Sequence, residues 1–408
     1  MLYFKLGQIF RFSYYIIPLI LLFYIGGIVQ YLGLISPTQT NILIIVLLLP
    51  LFLHKSIFRF ILKEYLLVFF CLYSILVGLF LSVDFLKINT YIYYIYCVFV
   101  ASIFSRFLSD YFVKRNGINC AVEFFFRFAK FFIIVQLFTS FFQNLFIDYV
   151  VAYAPFNIIK EDAVFGTMYL KSDASLAAII QIIMISFFIF RRSIGEKLVY
   201  SSLSVGLIFL GGSKAAQSVI GFVFLLLWLN DLYNFLRMKK YGFNYLIVVS
   251  SSIVLTCLAV AFGANFYKSF YDYTVNAYHS RHSWYSADRL APFGQFFSEK
   301  VNLWGNGQLT YYNPMTQEWL YDSGFSTYYS LYIDLGLVGL IFYLVYYTSR
   351  IYSSTRNFFI FSLILLVLMV YSAFSFTLSD LSFVFVFNYM LYLYCLYNKS
   401  FLDKGLSQ

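Results

Sequence analysis

The sequence predicts an all-α fold, a polytopic integral membrane protein of about twelve transmembrane helices with one large external loop. Of the 408 residues, 62% are hydrophobic and 11% are charged. Soluble chains carry about 25% charged residues, so this balance excludes an ordinary soluble domain. Apolar stretches of about 20 residues, long enough to cross a hydrocarbon core as a helix, recur with short polar interruptions. The whole chain, 1–408, is therefore interpreted as a single transmembrane domain.

Hydropathy windows of about 19 residues give the order of the spans. The first span is expected to be retained, because Lys5 and Arg11 precede its apolar run and no clear small-residue cleavage site follows it. The predicted spans lie near 13–33, 39–54, 65–82, 88–107, 124–146, 174–190, 197–212, 215–231, 243–262, 327–348, 358–378 and 381–397.

The connections between the spans supply an independent test of this topology. With the N-terminus inside, 20 of the 28 Lys and Arg residues fall in the cytoplasmic segments. Such an excess is typical of cytoplasmic loops, so both termini are expected in the cytoplasm. The net charge of +10 is accordingly interpreted as a sign of membrane orientation and not of nucleic-acid binding.

Two longer segments fall on the external side, near 143–173 and 263–326. A structureless loop as long as the second is unusual, and its aromatic residues suffice for a small core, so we expect short helices that fold over the membrane surface. The smaller segment carries charges of both signs from Lys160 to Asp162, followed by Gly166. It either covers a substrate or is a solvated loop, and the charge pattern favours the solvated loop.

The turn from Gly211 to Lys214 joins the seventh and eighth spans on the external side. The seventh span is short, which places Lys214 slightly within membrane depth. An ionisable group at that depth is a functional-site candidate by default, whereas the alternative is a lysine that snorkels to the interface. The first interpretation is favoured, and it makes Lys214 a candidate for substrate binding.

The large external segment concentrates charge between Tyr278 and Arg289. Arginine suits phosphate because its planar guanidinium donates two parallel hydrogen bonds, so Arg281 and Arg289 are candidates for substrate binding. Taken alone, such a cluster is more often a solvated charged surface than a binding site. His279 and His282 could share one helix face, but too few further ligands accompany them, so no metal site is expected.

Asp322 lies near the end of the same segment, just before the span that begins near residue 327. A carboxylate at the mouth of the bundle can accept a proton from a substrate hydroxyl. The alternative is a residue that favours the helix start through capping or the helix dipole. Asp334 is interpreted as a buried, hydrogen-bonded group without a catalytic role, and Gly336 and Gly339 as sites of close helix packing.

These residues and the layout of the spans resemble the O-antigen polymerase and ligase superfamily (Wzy and WaaL), over nearly the whole chain in topology. The family has a Ser-Arg-Gly-like turn that opens a helix, an arginine in a large periplasmic loop, a Gly-x-Gly turn, and a segment leading into a glycine-rich helix. The corresponding residues here are Ser213-Lys214-Ala215, Arg289, Gly305-Asn306-Gly307, Asp322-Ser323-Gly324 and Asp334 to Gly339.

Two departures from the family pattern bear on function. Lys214 stands where the family has arginine, and lysine is not equivalent to arginine at a bidentate phosphate site. Asp322 and Ser323 stand where ligases carry a His-Asn pair, which favours a polymerase over a ligase.

The resemblance implies a bacterial inner-membrane glycosyltransferase. It would transfer a growing glycan from polyprenyl pyrophosphate to the terminal sugar of a second lipid-linked repeat unit, in O-antigen, capsule or exopolysaccharide synthesis. Lys214, Arg289 and Arg281 would stabilise the departing pyrophosphate, and Asp322 or His282 would act as the base.

The resemblance also implies no cofactor and no metal. The expected partners are undecaprenyl-pyrophosphate-linked oligosaccharides and membrane lipid, with a chain-length regulator and a flippase, and without nucleic acid.

Three alternatives share this topology. A polysaccharide flippase or other transporter usually has internal repeats and broken central helices, and neither feature is expected here. An O-antigen ligase would use the same bundle to transfer a finished glycan to the lipid A core. A structural or sensory membrane protein is the third alternative.

Overall fold

The structure is a computed structural model. It describes residues 16–52, 60–81, 85–154, 163–168, 172–211, 214–237, 303–305, 307, 311–313, 318–320, 326–355, 357–375 and 377–405.

Within these residues the chain forms helices that pack into one bundle, together with one short hairpin. The helices are α1 (Ile16–Tyr31), α2 (Pro37–Phe52), α3 (Tyr65–Leu81), α4 (Phe85–Leu145), α5 (Ile147–Ala152), α6 (Ser172–Ile189), α7 (Ile194–Leu210), α8 (Lys214–Arg237), α9 (Thr327–Thr355), α10 (Phe358–Phe374) and α11 (Leu381–Gly405).

The predicted spans coincide with these helices. Eleven of the twelve predicted spans match a helix or, for α4, one half of a helix, and the span near 243–262 lies outside the described residues. The positions of these helices are thus confirmed. The number that crosses a membrane stays a prediction, because the match concerns helices and not the bilayer.

In the part of the chain that the structure describes, two helices are long and apolar enough to cross a membrane by length and composition, Ser330–Thr355 within α9 and Leu381–Ser400 within α11. Five shorter apolar helices accompany them, corresponding to α1, α3 and parts of α6, α8 and α10.

The outward faces of several helices are apolar as well as the inward faces. Helix α3 buries Leu67, Phe70 and Val77 against its neighbours. A helix that is apolar on all sides belongs inside a large core or in lipid, because water disfavours a long exposed apolar stripe. The opposite face of α3 exposes Phe69, Leu72, Leu76, Leu79 and Phe80, and the second half of α4 exposes Phe131, Ile134, Phe138, Phe141, Phe142 and Leu145.

Glycine breaks two of the long helices. Gly117 in α4 has φ 78° and ψ 164°, which divides α4 into the two halves predicted as separate spans. Gly336 in α9 has φ 66° and ψ −170°. Positive φ values are readily accessible to glycine alone, so both breaks are encoded in the sequence. The break in α9 corrects the expectation that broken helices are absent.

The hairpin belongs to the large external segment, of which residues 303–305 and 307 are also described. Strand β1 (Tyr311–Asn313) pairs antiparallel with β2 (Glu318–Leu320), and Tyr312 lies opposite Trp319. The expectation of short helices in this segment is wrong for these six residues, whereas the all-α fold class is confirmed for the rest of the described chain. Aromatic and long side chains favour pairing of short strands, which explains the difference.

Helix α11 lies at the centre of the bundle and packs against α4, α6 and α9. Its residues from Leu381 to Tyr394 are buried on all sides. Aromatic rings fill much of the core, and many meet edge to face, the geometry that the ring quadrupole favours. Phe23 and Phe132 are one such pair, with ring centroids 5.7 Å apart.

Candidate functional site

The residues predicted to carry function are only partly within the described structure. Lys214 is the first residue of α8, as the sequence predicted for a turn that opens a helix. Asp322, His282, Arg281 and Arg289 lie outside the described residues. The surroundings of Lys214 and the anchoring of the large segment therefore define the candidate site.

The large external segment is fixed to the bundle at the break in α9. A Cβ added to Gly336 would lie 2.1 Å from the carbonyl oxygen of Leu303, and a Cβ on Gly305 would lie 2.3 Å from that of Asp334. Only two glycines allow backbones to approach this closely. The close packing predicted for Gly336 is thus correct in kind, but its partner is the external segment and not another helix.

Hydrogen bonds complete this contact. A helix break leaves backbone carbonyls without their usual donors. Here the amide of Gly307 donates to the carbonyl oxygen of Asp334 at 2.9 Å. The hydroxyl of Tyr73 lies 3.0 Å from the carbonyl oxygen of Leu335 and 3.3 Å from that of Trp304. The Tyr73 side chain of α3 therefore contacts both the break in α9 and the external segment.

The side chain of Asp334 is buried, as predicted, with 1% of the residue exposed. Gly339 faces Leu335 of its own helix, where an added Cβ would lie 2.1 Å from the Leu335 Cβ. Gly339 thus leaves room for the Leu335 side chain next to the break, and not for a neighbouring helix.

The smaller external segment is buried where the structure describes it. We call residues 163–168 the short loop. All six residues are buried, Ala163 completely. The interpretation of this segment as a plain solvated loop is wrong for these residues, because an apolar sequence, Ala-Val-Phe, directly follows the charges from Lys160 to Asp162. Lys160, Glu161 and Asp162 themselves lie outside the described residues.

Two glutamines of α4 hold the short loop. Gln136 accepts a hydrogen bond from the amide of Thr167 at 2.8 Å and donates to the Thr167 hydroxyl oxygen, which in turn donates to the carbonyl oxygen of Phe23 at 2.6 Å. Gln143 accepts from the amides of Phe165 and Gly166 and donates to the carbonyl oxygen of Gly166 at 2.8 Å.

The short loop lies beside the turn that precedes Lys214. A Cβ on Gly211 would be 3.8 Å from the carbonyl oxygen of Val164. Gln181 of α6 donates to the carbonyl oxygen of Ala216, in the first turn of α8, at 3.0 Å. The start of α8 is therefore held against α6, and Gly211, three residues before it, lies beside the short loop.

Neutral side chains join α9, α10 and the start of α11 at the end of the bundle where α8 begins. Thr327 donates to the carbonyl oxygen of Ser375 at 2.7 Å, and its hydroxyl lies 3.0 Å from that of Thr377. The hydroxyl of Tyr343 lies 2.9 Å from both Ser372 Oγ and Thr377 Oγ1. All of these groups are buried or nearly so, and each has a partner, as buried polar groups require.

Asp380 links α6, α10 and α11. Its Oδ1 accepts the amide of Phe383 at 2.9 Å, the bond of a helix N-cap. Its Oδ2 accepts hydrogen bonds from Ser175 and Tyr371. We call the half of the bundle that contains Gly336, the short loop and Asp380 the Gly336 end.

The opposite half, which we call the Glu64 end, is rich in charge. Glu64 is buried and pairs with Arg106, while the Nη1 of Arg350 lies 3.2 Å from the same carboxylate oxygen. The Arg350 guanidinium stacks 3.3 Å from the centroid of the Tyr392 ring, and the Tyr392 hydroxyl also donates to Glu64. Two arginines thus share one buried carboxylate.

A second charged cluster at the Glu64 end surrounds Glu196 in the first turn of α7. Arg192 donates to Glu196 from Nε at 2.8 Å and also pairs with Glu123, and Lys130 contacts the same carboxylate. The hydrogen bond from Arg192, and then that from Lys130, lower the pKa of Glu196 to about 2. Lys197 pairs with Asp231 nearby.

Several of these residues had no signal that singled them out in the sequence. Gln136 and Gln143 stand seven residues apart in a largely apolar span, which places them near one helix face, and that spacing was the available signal. Asp380 lies in a short connection between spans and looks like any helix-start residue. Its hydrogen bonds to α6 and α10 are tertiary contacts, which the local sequence does not indicate.

In comparisons with known proteins, no family model, no curated protein and no solved structure matches this chain.

Within the described residues, no three His, Cys, Asp or Glu side chains come together as a metal site would require. The Gly336 end offers instead a helix start at Lys214, a buried loop beside it and an anchor for the large external segment. A helix start favours negative charge, because its backbone amides point outward and its dipole is positive there. The arrangement suits an anionic substrate group that approaches from this end.

Proposed function

We propose that this protein is a multi-pass inner-membrane glycosyltransferase that polymerises lipid-linked oligosaccharide repeat units. The observation that carries the proposal is the packing of Gly305 and Gly307 on the broken helix at Asp334 to Gly336. These two motifs of the proposed family are far apart in sequence and meet in space. Their contact keeps the large external segment at the end of the bundle where Lys214 begins α8.

A bilayer around the bundle is supported by its outer surface. Exposed apolar side chains follow one another along α3, α4 and α9, and lipid can cover such stripes whereas water disfavours them. Charge is also segregated, because Arg106, Lys130, Arg192 and Arg350 all contact partners at the Glu64 end. Under the positive-inside rule, that end faces the cytoplasm and the Gly336 end faces outward.

In the proposed reaction, the bond between the anomeric carbon of the donor glycan and the pyrophosphate oxygen breaks. A glycosidic bond forms to a hydroxyl of the second repeat unit, and the hydroxyl proton passes to Asp322 or His282. Polyprenyl pyrophosphate leaves with its negative charge stabilised by Lys214, Arg289 and Arg281. The lipid tails of donor and acceptor stay in the bilayer beside the apolar helix faces.

The test is polymerisation by purified protein in liposomes supplied with lipid-linked repeat unit, with products resolved as a ladder by electrophoresis. Lys214→Ala and Arg289→Ala are each expected to lower the rate about 100- to 1,000-fold, because each removes a charge that stabilises the leaving group. Lys114→Ala is the matched control, since Lys114 forms an exposed pair with Asp110 at the Glu64 end. Full activity of both site variants would contradict the assignment.

A transporter of lipid-linked saccharides is the second candidate, and the break at Gly336 favours it, because transporters often place broken helices at their substrate sites. The same liposomes separate the two functions. Repeat units that reach the opposite leaflet without chain growth would indicate a transporter, whereas a ladder of products indicates a polymerase. A ligase would be recognised in a deletion strain that loses all glycan attached to the lipid core, instead of accumulating single repeat units.

A further inference from the structure

The short loop lies deep between helices. Thr167 contacts Gln136 of α4, nine residues before the last residue of that helix, which is about 13 Å at 1.5 Å per residue. Thr167 also contacts Phe23 of α1, eight residues before the end of that helix, or about 12 Å. Thr167 therefore lies well below the ends of both helices, whereas Phe165 and Gly166 bond to Gln143, two residues before the end of α4. Half of a hydrocarbon core is about 15 Å thick, so a bilayer that meets these helix ends would place Thr167 near its middle.

The backbone of the short loop has its hydrogen bonds supplied by side chains. Irregular backbone at membrane depth occurs only where protein groups satisfy it or where it lines a polar cavity. The amides of Phe165, Gly166 and Thr167 and the carbonyl of Gly166 all bond to Gln136 or Gln143. This pattern distinguishes the loop from a surface turn, whose groups would bond to water.

Steric contacts also hold the short loop in this position. Gly166 has φ +63°, and a Cβ on it would lie 2.0 Å from Gln136 Oε1 and 3.2 Å from Leu176 of α6. The ring of Phe165 packs 6.0 Å from that of Tyr31, centroid to centroid. The loop is thus held between α1, α4 and α6, with its Val164 carbonyl beside Gly211.

We propose that the short loop is a re-entrant loop that supports Gly211, just before the start of α8, and that Gln136 and Gln143 are positioning residues for the diphosphate end of the lipid-linked donor. The second half of this proposal rests on the proposed function. The glutamines act through the loop: they set the height at which Val164 supports the turn before Lys214, and neither is expected to touch the reacting atoms.

The first arm of the test measures the position of the loop and needs no activity. Val164→Cys is made in a chain whose native cysteines are replaced, and a membrane-impermeant maleimide is added to spheroplasts. No labelling is expected at position 164. Leu303→Cys, whose parent side chain is exposed at the same end, is the labelled control. Labelling of Val164→Cys as fast as that of Leu303→Cys would overturn the re-entrant loop.

The second arm measures positioning. Gln136→Leu is expected to make position 164 reactive and to raise the KM for the lipid-linked donor roughly tenfold, with kcat changed less than about threefold, because the loop supports binding and not chemistry. A purely structural defect would lower the fraction of folded protein without raising the KM more than it changes the kcat. Thr139→Val is the control, since among the described residues the Thr139 hydroxyl bonds within its own helix, to the carbonyl of Val135.

Unchanged KM in Gln136→Leu would overturn the positioning role. If Gln136→Leu does not fold, Gln143→Leu makes the same test, because Gln143 is half-buried and holds the other side of the loop. If the wild type makes no polymer, the proposed function fails and the positioning role with it, whereas the labelling of position 164 still decides the loop.

Discussion

At the Glu64 end the helices are joined by charged side chains, whereas at the Gly336 end they are joined by hydroxyls, amides and backbone groups. Among the bonds described above for the Gly336 end, Asp380 supplies the one carboxylate. Ion pairs such as Glu64 with Arg106 tie α3, α4, α9 and α11 together at the first end. At the second, Gln136, Thr167 and Tyr343 make neutral hydrogen bonds. Neutral side chains can hold irregular backbone in place without adding charges that would compete with the binding site for an anionic substrate.

The difference predicts that the two ends respond differently to substitution, and the largest effect is expected at Glu64. Glu64→Gln leaves Arg106 and Arg350 without their shared counter-charge in a buried place, which should cost about 3 to 5 kcal/mol of folding free energy. Thermal unfolding in detergent, followed by tryptophan fluorescence, measures this loss.

Lys114→Ala is the control for Glu64→Gln, because the Lys114 side chain is 73% exposed and its pair with Asp110 should contribute less than about 0.5 kcal/mol. Equal effects of the two variants would mean that the buried cluster does not hold the Glu64 end together.

A somewhat smaller effect is expected at the break in α9. Gly336→Ala adds a Cβ 2.1 Å from the Leu303 carbonyl oxygen at a positive φ, and strain and overpacking together should cost about 3 kcal/mol. The variant should also detach residues 303–305 from α9, so that the backbone there becomes easier for a protease to cleave. Limited proteolysis and unfolding measurements report the two consequences.

Gly206→Ala is the matched control, because a Cβ at that helical position meets nothing within 4 Å. It should be neutral or stabilising by up to about 1 kcal/mol, from the better helix propensity of alanine. If Gly336→Ala were equally harmless, the contact between the segment and α9 would not exist.

The neutral bonds of the Gly336 end should each contribute less. Tyr343→Phe removes a buried hydroxyl that lies 2.9 Å from two partners, and a loss of about 1 to 2 kcal/mol is expected. Tyr352→Phe, at a side chain that is 65% exposed, should change stability very little. A loss in Tyr343→Phe no greater than in Tyr352→Phe would show that this network is not formed.

The last difference between the two ends is the pH dependence of the Glu196 cluster, which shows only at acidic pH. Its carboxyl pKa is lowered from 4.5 to about 2 in the folded protein, so the cluster stabilises the fold above the unfolded value. That contribution should be lost as the pH falls from about 4.5 towards 2. Glu196→Gln should unfold at a temperature that changes less over this range than the wild type. Parallel pH profiles of the two proteins would argue against the cluster.

Much of the fold was predictable from the sequence because apolar runs of span length are a direct physical signal. The helix start at Lys214 and the separation of the two halves of α4 both followed from that pattern. The break at Gly336 did not follow, because a glycine in an apolar run is equally compatible with close helix packing. Only the approach of Leu303 and Gly305 decides between them.

The candidate site was less predictable for the same reason. The burial of residues 163–168 depends on Gln136 and Gln143, and an isolated glutamine in a span has no intrinsic preference for a loop as its partner. The hairpin at β1 and β2 was missed because a few residues of strand carry too short an alternation to recognise. The roles of Arg281, His282, Arg289 and Asp322 stay predictions.

The central claim is that the two ends face opposite sides of a membrane, and sided labelling of single cysteines tests it most directly. Cys120 is exposed and lies just after the break at Gly117, at the Glu64 end, and Leu303 is exposed at the Gly336 end. With the other cysteines replaced, an impermeant maleimide added to intact spheroplasts should label Leu303→Cys and leave Cys120 unlabelled, and permeabilisation should make both react. Labelling of both positions from the outside, or of Cys120 alone, would contradict the account.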